Sequence, residues 1–167
     1  MITVRKHFLP VTLIDEVMSY VKENINSYEW STNLGWDKTI VEQGGQVSVF
    51  SLNIFKDSIK KEYVKINDDY QYLNPKVSFY VWQRGSHIPW HNDTSHTIGS
   101  TIYLNEYWDI NNGGLFLWKD TKDNCIKAEV PEFNKMVLNG NNIAHAVSMI
   151  STSSPDLRLS MQVWLDK

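Results

Sequence analysis

The sequence predicts a mainly β chain with helices at its N-terminal end, an α+β arrangement whose second half forms a β-sandwich or barrel. Three observations carry this expectation. Apolar residues recur at helical spacing over Ile14, Val17, Met18, Val21 and Ile25. After Pro75, short β-prone runs alternate with turn-forming clusters. The 167 residues, 42% of them hydrophobic, are enough to bury one core. A single domain over 1–167 is therefore expected, with helical support over about 1–75 and a β core over about 76–167.

In chain order, Pro10 precedes Thr12, and Thr12 with Asp15 has capping-box spacing, with Asp in place of Glu or Gln, which predicts a helix start. Residues 31–49 read as irregular or partly stranded, broken at Gly35 and at Gly44-Gly45. A second helix is predicted over about 52–65, where Leu52, Phe55, Ile59 and Tyr63 share a side. Strands follow at VSFYVW (77–82), TIGSTIYL (97–104), GLFLW (114–118), MVLNG (136–140), AHAVSMI (144–150) and LRLSMQVWL (157–165). NDTS, NEYWDINNGG, KDTKDN and STSSPD supply turns between them. No internal repeat, low-complexity tract or linker interrupts the chain.

Charge and cysteine usage narrow the function classes. A net charge of -3 and a pI near 5.9 give no electrostatic footprint for nucleic acid. Lys56, Lys60, Lys61 and Lys65 are diluted by Asp57 and Glu62 and read as a solvated helix face. The single cysteine, Cys125, excludes an internal disulfide and any Cys-rich zinc or iron–sulfur site, and suits a reducing cytoplasm. No stretch approaches eighteen apolar residues, so neither a signal peptide nor a membrane span is expected. The chain is expected to work as a monomer or homodimer.

The chemistry concentrates in HIPWHNDTSH, residues 87–96, which holds three of the five histidines. His87 and His91 have the spacing of a helical zinc site, but Pro89 would break that helix and no glutamate follows His87 to act as base. On an extended backbone residues two apart point the same way, so His91 and Asp93 can converge on one ion. A third ligand must come from elsewhere. Outside the cluster only His7 and His145 remain; His7 precedes the first helix and reads as surface, whereas His145 falls in a predicted strand. Two histidines and one carboxylate on one face of an octahedral ion form the facial triad of non-haem Fe(II) oxygenases, with three positions open. His96, in a probable-turn sequence after Thr94 and Ser95, reads as solvated or beside the site, and His87 as locally hydrogen-bonded or facing substrate.

The last strand adds a cation. In LRLSMQVWL the odd positions Leu157, Leu159, Met161, Val163 and Leu165 are apolar, and the even ones are Arg158, Ser160, Gln162 and Trp164. One face packs and the other presents a guanidinium, a hydroxyl and an amide. A hairpin at STSSPD is expected to return Arg158 alongside His145. A cation beside a metal ligand makes sense when an anionic co-substrate bridges the two, and arginine's planar fork suits a carboxylate.

These residues together resemble the Fe(II)- and 2-oxoglutarate-dependent oxygenases, in particular the prolyl hydroxylase-like branch. VWQRGSHIPWHND resembles the strand and loop carrying HxD, STIYLNEYW with NNGGLFLW the segment that follows, PEFNKMVLNGNNIAH the approach to the distal histidine, and RLSMQVWL the terminal strand. The resemblance covers about Val77 to Leu165 well and the first 75 residues weakly; HFLPVTLIDEVMSYV looks like the family's entry helix only generically. It implies a double-stranded β-helix core (jelly-roll, cupin-like). It also implies iron held by His91, Asp93 and His145, with Arg158 on the distal carboxylate of 2-oxoglutarate and Ser160 beside it. Tyr103 matches a tyrosine that hydrogen-bonds that carboxylate, Thr101 shares its side, and Tyr80 or Trp82 falls near another pocket tyrosine. Ascorbate is allowed as an accessory. The expected reaction is C–H hydroxylation with release of succinate and carbon dioxide; the Asp93 carboxylate, which halogenating relatives replace by a small residue, favours hydroxylation over halogenation. Trp82 in place of a tyrosine, and a His145–Arg158 interval longer than in close prolyl hydroxylases, argue against presuming a prolyl substrate. A peptide, protein or small molecule is expected, with His87, Trp90, His96 and the loop NEYWDINN bordering the entrance. The alternatives are a cupin-like metalloenzyme without 2-oxoglutarate and a non-enzymatic β-barrel binding module.

Overall fold

The computed structural model describes residues 2–24, 26, 31–32, 40, 42, 44, 47–94, 96–140 and 143–167. Ile25, Gly35, Gly45 and Ser95, singled out above, lie outside them. Helix α1 spans Val11–Asn24 and buries Leu13, Ile14, Val17 and Val21, the face set by the apolar spacing. Its start differs from the capping-box expectation: Thr12 lies inside the first turn, and the Pro10 carbonyl accepts from the Ile14 amide at 3.1 Å. The segment leading into the helix is held by a distant residue. Asn134 accepts from the Leu9 amide through Oδ1 and donates to the Leu9 carbonyl through Nδ2, both at 2.9 Å, and its own carbonyl takes the Phe8 amide at 3.0 Å. Asn134 also stands at φ 56°, a conformation that asparagine tolerates better than most residues. Asn134→Ala should therefore cost about 2 kcal/mol, since it strands two buried backbone groups; denaturant unfolding reads this directly.

Helix α2, Lys56–Val64, follows a 3-10 turn at Asn53–Phe55. Leu52, Ile59 and Tyr63 are fully buried, and Phe55 packs beside them, as their shared side predicted. Lys56, Lys61 and Lys65 are exposed, and Lys65 pairs with Glu62 at 2.6 Å. Among the described residues no helix is long and apolar enough to cross a membrane.

The strands are β1 (Ile2–Arg5), β2 (Ser31–Thr32), β3 (Val47–Ser51), β4 (Asn74–Trp82), β5 (Ile88–His91), β6 (Ile98–Tyr103), β7 (Phe116–Lys119), β8 (Ile126–Glu129), β9 (Met136–Gly140), β10 (His145–Val147) and β11 (Arg158–Asp166). They form a seven-stranded sheet, β1-β9-β6-β11-β4-β3-β2, and a four-stranded sheet, β5-β10-β7-β8, antiparallel throughout. Alternation within the strands sorts the layers. Val77, Phe79, Val81, Ile102, Met161 and Val163 face the helices in the main core. The opposite face of the large sheet meets the small one: Val49, Tyr80 and Trp82 pack with Val147 and Ile150, and Tyr103 and Val137 with Phe116.

One topological expectation fails. Strand β11 does not form a hairpin with β10; it lies in the large sheet between β4 and β6, with Arg158 opposite Trp82. The STSSPD segment is a crossover between sheets, pinned by Arg84, whose Nε donates to the Ser154 carbonyl at 2.6 Å and whose Nη2 donates to that of Pro155 at 2.9 Å. The segment leads from β10 in the small sheet to β11 in the large one, where Arg158 lies behind Trp82, a residue of the cavity lining.

Candidate active site

The two sheets enclose a cavity of about 590 Å³. The small sheet contributes His91, Phe116 and His145 to its lining, and the large sheet contributes Tyr80, Thr101, Val137 and Gln162. His91 and His145 are register partners in β5 and β10, which sets their rings 4.2 Å apart. Asp93 sits two residues beyond His91 and turns its carboxylate between them: Oδ1 is 3.4 Å from His91 Nε2, and Oδ2 is 3.3 Å from His145 Nε2. One ligand atom from each of the three lies within 4.8 Å of the others, a cluster able to hold a metal ion. His87 and His96 are outside it.

Each imidazole is aimed by its other nitrogen. His91 Nδ1 donates to the Pro89 carbonyl at 2.9 Å, and His145 Nδ1 to the Ile143 carbonyl at 2.9 Å, which leaves both Nε2 lone pairs facing the cluster. Burial opposes charge at His91, yet the Asp93 carboxylate and the Pro89 carbonyl outweigh it and lift its pKa above the ordinary value. Burial likewise favours the neutral form of Asp93, but His145 and His91 hold its carboxyl far below the usual carboxylate range. The cluster is thus preset to present a carboxylate.

Asn139 was not singled out from the sequence. Its amide brackets Ile143, donating to the carbonyl at 3.1 Å and accepting from the amide at 3.2 Å, so it fixes the carbonyl that orients His145. The available signal was a polar residue on the cavity-facing side of β9, two places from Val137. Asn139→Ala should weaken divalent-metal binding about 10- to 100-fold with the ligands intact, measured by metal titration.

The crossover leads into Arg158, the first residue of β11. Its guanidinium is fully buried, 4.6 Å over the Trp82 ring and 5.1 Å from the Tyr103 ring. All three guanidinium nitrogens and the Tyr103 hydroxyl are buried without a hydrogen-bond partner among the described residues. Burial lowers the Arg158 pKa and raises that of Tyr103, each partly offset by the other. An unpaired buried cation is costly, so this cradle fits an anionic group with carboxylate geometry. Gly114 makes room for it: a Cβ there would stand 2.7 Å from Arg158 Cδ.

The remaining predicted residues have defined places. Trp82 Nε1 donates to the Ser160 hydroxyl at 2.9 Å, which locks the indole beneath the guanidinium. The Thr101 hydroxyl donates to Gln162 Oε1 at 2.9 Å. Tyr80 lies 6.2 Å from Trp82, ring to ring, on the same cavity side. At the mouth, His96 stacks on Trp164 at 4.1 Å while Nδ1 holds the Asp166 carboxylate at 3.0 Å. Trp90 borders the mouth as expected, but His87 and residues 105–112 do not line the cavity. His87 turns to the Gly85 carbonyl at 3.3 Å. In the 105–112 loop, Trp108 is buried against Val147 and Ile150, and Asn105 is tied to the backbone of Leu157 and Leu159. His7 is exposed, as read from the sequence.

Comparison with known proteins agrees with this geometry. Residues 75–166 match the family model described as the 2OG-Fe(II) oxygenase superfamily. No curated protein sequence matches the chain. Among solved structures, a Pseudomonas putida prolyl-4-hydroxylase is similar with a TM-score of 0.78 at 16% identity, over 99% of this chain and 92% of that one. A Trichoplax adhaerens prolyl hydroxylase, solved with a hypoxia inducible factor oxygen degradation domain peptide fragment, gives 0.74 at 16% identity, over 99% and 83%. The viral collagen prolyl hydroxylase of Paramecium Bursaria Chlorella virus-1, in its 2OG complex, gives 0.63 at 10% identity, over 98% and 94%. These likenesses establish the double-stranded β-helix fold.

Proposed function

The chain belongs to the 2OG-Fe(II) oxygenase superfamily and is an Fe(II)- and 2-oxoglutarate-dependent oxygenase, and on that premise we propose that it hydroxylates a C–H bond of a peptide, protein or small-molecule substrate, with release of succinate and carbon dioxide. Membership removes the two alternatives, a binding module and a metalloenzyme that dispenses with the keto acid. The observation that carries the proposal is the His91–Asp93–His145 cluster in a cavity whose wall includes Trp82, on which lies a buried Arg158 with no hydrogen-bond partner among the described residues.

In this reading His91, Asp93 and His145 hold the iron through two Nε2 atoms and a carboxylate oxygen. When bound, Fe(II) and 2-oxoglutarate supply the dioxygen activation and the two-electron oxidation that hydroxylation needs. Arg158 and Tyr103 would receive the distal carboxylate, with the Trp82 ring packed under the guanidinium. Thr101, Tyr80 and Trp82 line the cavity wall, and Ser160 holds the Trp82 indole. Retention of Asp93 supports hydroxylation over halogenation. The likeness to a hydroxylase solved with a peptide supports a peptide substrate, while Trp82 in place of the family's tyrosine argues against assuming that the target is proline. Residues 1–167 act as one oxygenase domain, in a cytoplasmic setting consistent with the exposed free thiol of Cys125.

The test is a screen for substrate-stimulated succinate release across peptides and small molecules. One class should raise 2-oxoglutarate turnover and gain a single oxygen atom; a stimulating substrate whose product carries no added oxygen would overturn the hydroxylase reading.

A further inference from the structure

We infer that Gln162 is a co-substrate-binding residue, its side-chain amide turned into the cavity to donate a hydrogen bond to the keto-acid end of 2-oxoglutarate. This deepens the reading above and rests on it. Gln162 is an inward-facing residue of β11, midway between the Ser160–Trp82 contact and Trp164. Only 9% of it is exposed. Directly across the ladder, Thr101 donates to Gln162 Oε1, so the oxygen end of the amide is occupied within the protein. The Nε2 end makes no hydrogen bond to the described residues and opens onto the cavity. A nine-tenths buried amide with its oxygen end fastened and its nitrogen end open to the cavity is a positioned donor, held in place before any acceptor arrives.

Its position says what the acceptor is. Along β11, Arg158 lies four residues one way, about 13 Å along a strand. Two residues the other way is Trp164, paired with Gly99. Gly99 marks the metal end: a Cβ there would come 3.1 Å from Asp93 Oδ2 and 2.5 Å from the Trp164 ring. Gln162 therefore flanks the stretch between the carboxylate cradle and the triad, where a dicarboxylic keto acid held at both ends must run. Along this stretch the exposed acceptors of such a molecule are its proximal carboxylate and keto oxygens. An amide N–H suits them, whereas a carboxylate side chain would repel them.

The experiment uses the full chain loaded with Mn(II), and measures 2-oxoglutarate binding by calorimetry. Gln162→Leu should weaken 2-oxoglutarate about tenfold. Gln162→Glu should weaken it by about a further tenfold, through repulsion of like charges. Mn(II) affinity should be unchanged in Gln162→Leu. Thr101→Val, which frees the amide to turn, should produce a smaller loss that Thr101→Ser restores. Unchanged 2-oxoglutarate affinity in Gln162→Leu, or Gln162→Glu binding as well as wild type, overturns the inference while leaving the proposed function standing. Failure of the wild-type protein to bind 2-oxoglutarate sinks the reading it rests on. Should Gln162→Leu not fold, the Thr101 pair and Gln162→Glu decide the question alone.

Discussion

Asp93→Ala should lose Fe(II) affinity by more than about 100-fold, and with it 2-oxoglutarate turnover, while remaining folded. The size follows from position. Asp93 is the only carboxylate in the three-residue cluster, and both its oxygens face histidine Nε2 atoms, at 3.4 and 3.3 Å. Residues that merely orient a ligand are worth 10- to 100-fold, so removing a ligand outright should exceed that. The fold should tolerate the change because the carboxylate's contacts are to the two imidazoles, which are aimed independently by the Pro89 and Ile143 carbonyls. Anaerobic metal titration and succinate release measure the two losses; turnover like that of wild type would sink the triad assignment.

Arg158→Ala should raise the 2-oxoglutarate requirement by about 100-fold or more and leave iron affinity nearly unchanged, since truncating one member of a buried charge pair costs about 2–5 kcal/mol. The asymmetry is built into the cradle. The guanidinium touches aromatic faces but no acceptor among the described residues, so without an anion it carries an unrepaid desolvation cost. Removing it should not destabilise the ligand-free protein much, yet it should abolish the thermal stabilisation that 2-oxoglutarate confers on wild type. Arg158→Lys should fall between, keeping the charge without the planar fork. An unchanged dependence on 2-oxoglutarate would mean that this arginine serves another purpose.

Local periodicity was readable and distant pairing was not. The helical spacing of Ile14, Val17 and Val21 and the alternation from Arg158 to Leu165 each chose the correct face, because those patterns are imposed by backbone geometry within a few residues. Pro89 likewise excluded the helical zinc site, and His91 does sit at the end of a strand. The failures share a cause. Strand β1 escaped notice because its partner is β9, more than a hundred residues on, and its pattern is half exposed. The capping-box reading at Thr12 missed because the helix begins at Val11, and the chain before it is held by Asn134, equally remote. The hairpin expected at STSSPD is a crossover because Arg84 holds it from another strand's end. In the site, the convergence of His91, Asp93 and His145 was legible from residue type and order. Asn139 and the orientation of Gln162 needed the third dimension, since each acts through a neighbour brought in by the fold.

The central claim is that one cavity holds a metal at His91, Asp93 and His145 and an anionic keto acid between that metal and Arg158. Anaerobic addition of Fe(II) and 2-oxoglutarate to the purified protein tests it most directly. A visible charge-transfer band of the keto-acid chelate should appear only with both components, saturate at one equivalent of iron, vanish in Asp93→Ala, and require far more 2-oxoglutarate in Arg158→Ala. Absence of the band in the wild-type protein, or its persistence unchanged in both variants, would contradict the account.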